Sequence, residues 1–306
     1  MVDIAGFSEN DSFWPPPLEP GDAIAVVAPA SPVDKDLCRL GVELLRQQGF
    51  RVLCGPEVHV TRAWGREADR ERARYFLEIW RHPEIKGVIG ARGGYGSLKL
   101  LPHLDLSALR EHPKRLVGFS DLTNLLLYLH RHLRVVTFHG PTVAHLPRLA
   151  PAARQDLFQW LTAAGPRALS YRGLTVLHPG QARGPLIGGN LTTLCHLLGT
   201  PFAPRLAGAV LFLEDHNEAA YRLDRLIHHL LFSGALEGVK GIVLGGFTGA
   251  DAAGQYLEVM EAALEPLKVP VLAGLPAGHH SDNHTLPLGA AVLLDSETAS
   301  LTFLKD

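Results

Sequence analysis

Arg115-Leu116-Val117-Gly118-Phe119-Ser120-Asp121-Leu122 is an apolar run that passes through a glycine and a serine into the start of a helix. A short apolar segment without alternation, bounded by turn residues, has the form of a strand covered on both faces, and such strands belong to parallel sheets. The same form recurs at Ala23 to Ala28, before Pro29-Ala30-Ser31-Pro32, and at Gly87 to Gly90. Between these runs, Asp36 to Gln48 carries Leu37, Leu40, Leu44 and Leu45 at helical spacing and stops at Gly49, and Asp69 to Trp80 is also periodic. Arg51 to Cys54 and Val135 to Phe138 read as further strands, Leu122 to His130 as a helix capped by Asp121, and Ala152 to Ala163 as a closing helix. Alternation of this kind predicts an α/β protein whose N-terminal part is a parallel sheet with flanking helices.

With 306 residues the chain exceeds the usual size of one core, so two domains are expected. The texture changes at Gly165 to Gly184, which is rich in Gly, Pro and Arg and has no long periodic run. The expected division is an N-terminal α/β domain over 1–164, a linker over 165–184 and a smaller C-terminal mixed α/β domain rich in short strands over 185–306. In the last of these, Gly188-Gly189-Asn190 leads into a helix, Ala209 to Leu213 reads as a strand, and Glu218 to Phe232 as a long amphipathic helix.

A formal net charge of -2, 20% charged residues and no extended Lys/Arg run exclude a phosphate-backbone binder, so no nucleic acid partner is expected. No stretch approaches the roughly 20 apolar residues that cross a bilayer. Met1 to Pro20 holds acids and a Trp14-Pro15-Pro16-Pro17 run in place of a basic segment with an apolar core, which does not read as a secretory signal. Three cysteines, Cys38, Cys54 and Cys195, form no close pair in sequence and fit a reducing compartment, so the cytoplasm is the expected location.

A serine held where a buried strand turns sharply into a helix presents its hydroxyl at the sheet edge, beside backbone N–H groups. Ser120 fits that place, although Leu122 stands where the usual elbow has its second glycine. Arg92-Gly93-Gly94-Tyr95-Gly96 lacks both the Rossmann and the Walker spacing. Its consecutive glycines let backbone N–H groups approach a ligand, and a plain tight turn explains them equally well. Glu214 and Asp215 end an apolar strand; Asp215 suits the cap of the helix near Glu218, and Glu214 suits the orientation of a histidine. His279 lies in the polar stretch Ala277-Gly278-His279-His280-Ser281-Asp282-Asn283, one of 16 histidines. His279, His280, Asp282 and His284 are a dense group of metal-ligand types, but without a Cys-x-x-Cys partner the metal reading ranks below the catalytic one.

Together these motifs resemble the LD-carboxypeptidase family of serine peptidases, which includes the microcin C self-immunity hydrolases. The likeness runs from Gly21-Asp22 through Arg92 to Gly96, Gly118 to Asp121, Gly188 to Leu191, and Leu213-Glu214-Asp215 with Tyr221-Arg222. It ends at Gly278-His279 and Leu286-Pro287-Leu288-Gly289. The resemblance implies a triad in which Ser120 is the nucleophile, His279 the general base and then acid, and Glu214 the group that fixes the imidazole tautomer. It also implies a nucleophile in the N-terminal domain, the acid and histidine in the C-terminal one, an active site between them, a homodimer, and no metal or cofactor. Backbone N–H groups of Asp121 and of Gly93 or Gly94 suit an oxyanion hole, and Arg92 and Tyr95 suit a substrate carboxylate.

The expected function is therefore cytoplasmic hydrolysis of the L,D peptide bond to the terminal D-alanine of murein tetrapeptides during cell-wall recycling. The same triad acting on an aminoacyl nucleotide resembling microcin C is the second reading. A non-catalytic α/β protein whose serine loop and Arg92 region bind an anion is the third.

Overall fold

All five residues of β1 (Ala23–Val27) are buried, as a strand covered by helices on both sides must be. The computed structural model describes residues 12–59, 65–249 and 255–305, which divide into two units. Unit 1 comprises residues 1–165 and 284–287, and unit 2 comprises 166–283 and 288–306.

In unit 1, β1 is followed by α1 (Lys35–Gln47), β2 (Arg51–Leu53), α2 (Arg66–Arg81) and β3 (Ile85–Gly90). Then come α3 (Leu106–Glu111), β4 (Arg115–Gly118), α4 (Thr123–Leu133), β5 (Thr137–His139) and α5 (Pro151–Thr162). Local chemistry sets the helix limits: the Asp34 carboxylate accepts from the N–H groups of Asp36 and Leu37 at the start of α1, and Pro151 opens α5. β1 pairs in parallel with β2 on one side and β3 on the other, and β3–β4 and β4–β5 are parallel too. The sixth strand of this sheet, Leu286–Leu288, lies outside β5, and its first two residues belong to unit 1. Asp156 of α5 anchors that returning segment, accepting from Thr285 N at 3.2 Å and pairing with His284 Nδ1 at 3.4 Å.

Unit 2 holds β6 (Leu169–Arg172), β7 (Thr175–His178), β8 (Gln181–Asn190), α6 (Leu191–Leu197), β9 (Val210–Asp215) and α7 (Ala220–Phe232). It continues through β10 (Gly241–Phe247), α8 (Gln255–Leu264) and β11 (Val271–Ala273). After the strand at Leu286–Leu288, which is β12, it ends with β13 (Ala291–Asp295) and β14 (Ser300–Phe303). Its sheet runs β6-β14-β13-β8-β9-β10-β11-β7, parallel from β8 to β11 and antiparallel elsewhere. The fold is mixed α/β with two sheets, one of them carrying many short strands. Residues 165–184, expected as a linker, instead supply β6, β7 and the start of β8. Each gains its hydrogen bonds from strands distant in sequence, so no periodicity of its own was needed.

One buried cation organises the entry to unit 1. Arg115, fully buried in β4, donates from its guanidinium to the carbonyls of Pro15 and Pro16 at 2.9 Å each, to Ala163 O at 2.6 Å, and to Trp160 O. Trp14 stacks on Trp160 with centroids 5.9 Å apart. The Trp14-Pro15-Pro16-Pro17 run is thus a structural strap, and proline suits it because the bonds use its carbonyls and need no N–H. Among the described residues no helix is long and apolar enough to cross a membrane. Arg115→Met should strip four carbonyls, two of them in fully buried bonds, of their donor and lower stability by about 3 kcal/mol or more. A urea unfolding midpoint equal to that of the parent would refute this account of the strap.

Candidate active site

The loops that follow β1, β3 and β4 leave the same edge of unit 1, because these strands are parallel neighbours. Strand order reverses about β1, and in open parallel sheets ligands bind outside the carboxyl ends at such a point. Ser120 comes directly after β4 and has φ 63°, left-handed backbone that a non-glycine residue adopts at a cost of roughly 1–3 kcal/mol. Residues Ser120–Leu122 form a single 3-10 turn that feeds α4. Leu122 is fully buried, and a Cβ on either Gly90 or Gly118 would run into its side chain. The leucine in place of the elbow's second glycine is therefore a packing plug between the ends of β3 and β4.

The structure brings Gly93 against Ser120: a Cβ on Gly93 would lie 2.9 Å from both Ser120 Cβ and Oγ. Ser31, from the loop after β1, fixes the glycine segment, donating its N–H to Gly93 O at 3.3 Å and accepting from Tyr95 N at 3.1 Å. Gly94 packs on the Ser31 side chain, while Arg92 and Tyr95 are exposed on the same loop. Asp121 does not cap α4 as expected. Its carboxylate accepts from Ser97 N at 2.8 Å and its carbonyl from Ser97 Oγ at 2.5 Å, so it ties the Ser120 turn to the segment after the glycines. Burial pushes the Asp121 carboxyl above its usual range, against the hydrogen bonds from Ser97.

In unit 2 the carboxyl ends of β9, β10 and β11 are likewise adjacent. Glu214, fully buried near the end of β9, accepts through Oε2 from His279 Nδ1 at 2.7 Å. An ionised carboxylate only accepts, so Nδ1 carries the hydrogen and Nε2 is left with the lone pair, the tautomer of a general base. Gly278, at φ 124°, permits the approach: a Cβ there would stand 2.9 Å from Oε2.

Asp215 does not cap α7. Its oxygens accept from Asn190 Nδ2, Thr192 N and Thr192 Oγ1 at 2.7–2.9 Å, so it fastens the start of α6, and the Gly188-Gly189-Asn190 motif delivers the cap of that helix. His284, grouped by sequence with His279, belongs to unit 1 and pairs with Asp156.

Sequence reasoning missed His216. Its ring stacks on His279 with centroids 4.7 Å apart and 10° between planes, and its Nδ1 meets Thr248 Oγ1 at 2.6 Å. The only sequence signal was its place directly after the acidic pair. On the other side of His279 in sequence, the His280 ring lies over Gly246 of β10, where a side chain would collide with it.

Residues 24–140 match the LD-carboxypeptidase N-terminal domain, and residues 183–294 match the LD-carboxypeptidase C-terminal domain. The chain belongs to the LD-carboxypeptidase family of hydrolases. A murein tetrapeptide carboxypeptidase of Pseudomonas aeruginosa is 32% identical over 303 residues, 94% of this chain and 96% of that one. The crystal structure of a muramoyltetrapeptide carboxypeptidase from Oxalobacter formigenes matches with a TM-score of 0.80 at 30% identity, covering 92% and 97%. The microcin C7 self-immunity protein MccF of Escherichia coli is 28% identical over 94% of each chain. A structure under the same protein name, in complex with aspartyl sulfamoyl adenosine, matches with a TM-score of 0.86 at 27% identity, covering 95% and 98%.

Burial lowers the pKa of both His216 and His280, with His279 nearby adding to the effect in each case. The folded state binds these two protons less readily than the unfolded chain does. The histidines therefore cost no stability above their ordinary titration range, and stability drains as pH falls through that range toward the lower folded values. In an NMR titration the ring protons of His216 and His280 should move at lower pH than those of a histidine peptide. Titration at or above the peptide value would contradict the burial argument.

Proposed function

We propose that this protein is a serine carboxypeptidase that hydrolyses the L,D peptide bond to the terminal D-alanine of murein tetrapeptides. The observation that carries the reading is the 2.7 Å bond from His279 Nδ1 to a fully buried Glu214 carboxylate, in a chain whose Ser120 occupies a strained strand-to-helix turn. Ser120 Oγ attacks the scissile carbonyl as His279 Nε2 takes its proton, and Glu214 steadies the imidazolium that forms. The developing oxyanion is held by backbone N–H groups of Asp121 and of Gly93 or Gly94. Collapse of the tetrahedral adduct passes the proton from His279 to the departing amine of D-alanine. Water, deprotonated by the same imidazole, then releases the acyl group from Ser120. Arg92 and Tyr95 hold the free carboxylate of the terminal residue.

The reaction needs no metal or cofactor, and the protein acts in the cytoplasm on recycled wall peptides as a homodimer. The likeness to the protein bound to aspartyl sulfamoyl adenosine supports a second reading, in which the same groups cleave an aminoacyl nucleotide.

Two assays decide between these readings and test the triad. Release of D-alanine from a murein tetrapeptide is measured beside cleavage of an aminoacyl sulfamoyl adenosine, and kcat/KM should favour the peptide; the reverse preference would establish the second reading. Ser120→Ala should lower turnover by about a million-fold and Glu214→Gln by about 10,000-fold, each with an unchanged circular dichroism spectrum. A fluorophosphonate should label Ser120 in the parent and fail to label it in His279→Ala. Normal turnover by Ser120→Ala, or equal labelling in both proteins, rules out the mechanism.

A further inference from the structure

Cys38 lies in α1, Cys54 just past β2, and His59 at the end of the 3-10 turn Pro56–His59. Cys54 and His59 are five positions apart and Cys38 is 16 positions before Cys54, yet the fold gathers all three. The two sulfurs are 3.3 Å apart, and a ring nitrogen of His59 joins them in a group whose atoms all lie within 4.8 Å of one another. None of the three takes part in the hydrolytic chemistry proposed above.

Two thiols and an imidazole form the donor set that selects zinc and its neighbours over magnesium or calcium. Bond lengths of about 2.3 Å to sulfur and about 2.1 Å to nitrogen place tetrahedral sulfurs roughly 3.8 Å from each other and roughly 3.6 Å from the nitrogen. The observed group therefore closes on an ion with side-chain adjustments of about 1 Å. The tautomer of the histidine is already set. Its Nδ1 lies 2.9 Å from Val33 O, and a carbonyl has no hydrogen to give, so Nδ1 donates and Nε2 keeps its lone pair. Val33 N in turn donates to Val58 O at 2.9 Å, which binds the orienting carbonyl to the turn that carries His59.

We propose that Cys38, Cys54 and His59 bind a zinc-class divalent metal ion that pins α1 to the end of β2 and the turn after it. Cys38 is buried while Cys54 and His59 are part-exposed, so the group borders solvent on the side of the latter two.

The test uses the full-length protein, reduced and freed of metal, and titrated with cobalt(II) and then zinc(II). One equivalent of cobalt should produce a thiolate-to-metal charge-transfer band that zinc displaces. Cys54→Ser and His59→Ala, both at part-exposed positions and checked for folding by circular dichroism, should each weaken zinc binding by about 100-fold or more. Neither substitution should alter the basal hydrolytic rate of the metal-free protein. Failure of the parent to give the band overturns the site. So does an undiminished zinc affinity in either variant, or closure of a Cys38–Cys54 disulfide under peroxide at the same rate with and without zinc.

Discussion

A carboxylate taken fully out of water must be answered by a donor, and Glu214 shows how much local architecture that requirement fixes. Among the described residues, Oε1 has no hydrogen-bond partner and Oε2 has His279. The imidazole is therefore held as firmly as the acid is buried. Gly278 keeps a side chain off Oε2, Gly246 gives His280 its resting place on β10, and His216 covers the other ring by stacking. What reads in sequence as a loose polar loop is a set of rings arranged around one buried charge.

Unit 1 applies a parallel logic to a neutral group. Ser120 bears backbone strain, and the strain persists because Leu122 is locked between Gly90 and Gly118 while Asp121 is bound to Ser97. The glycine segment is no phosphate cradle in its spacing. It is a surface flat enough for Gly93 to rest on the serine side chain, held there by Ser31 from the loop after the neighbouring strand β1. In each unit the polar groups stand where parallel strands end together, the one edge of such a sheet at which several loops meet.

The strands buried on both faces were legible because an unbroken apolar run admits few other readings: β1 is one throughout, and β3, β4 and β9 each contain one. Ser120 and Glu214 stood out by their positions at strand ends, and His279, one of 16 histidines in the chain, by the family likeness. The strands of 165–184 were illegible because they are short, half-exposed and rich in turn residues, and their pairing with β11, β13 and β14 comes from the far end of the chain. Asp121 and Asp215 each sit beside a helix start, so capping was the natural reading of both. Their actual partners, Ser97 and the Asn190–Thr192 segment, lie more than 20 positions away. The approach of Cys38 to Cys54 arises from the chain doubling back between α1 and β2, a spatial fact without a linear signature.

The chain leaves unit 1 after Gly165 and comes back to it only for residues 284–287, where Asp156 receives His284 and Thr285. On a ribosome, which emits the polypeptide from its first residue onward, the sheet that carries Ser120 must wait for its outermost strand until most of unit 2 has emerged. Maturation of the serine turn's own sheet is thereby timed to the end of translation, and a nascent fragment holding all of residues 1–165 still has an open edge beside β5.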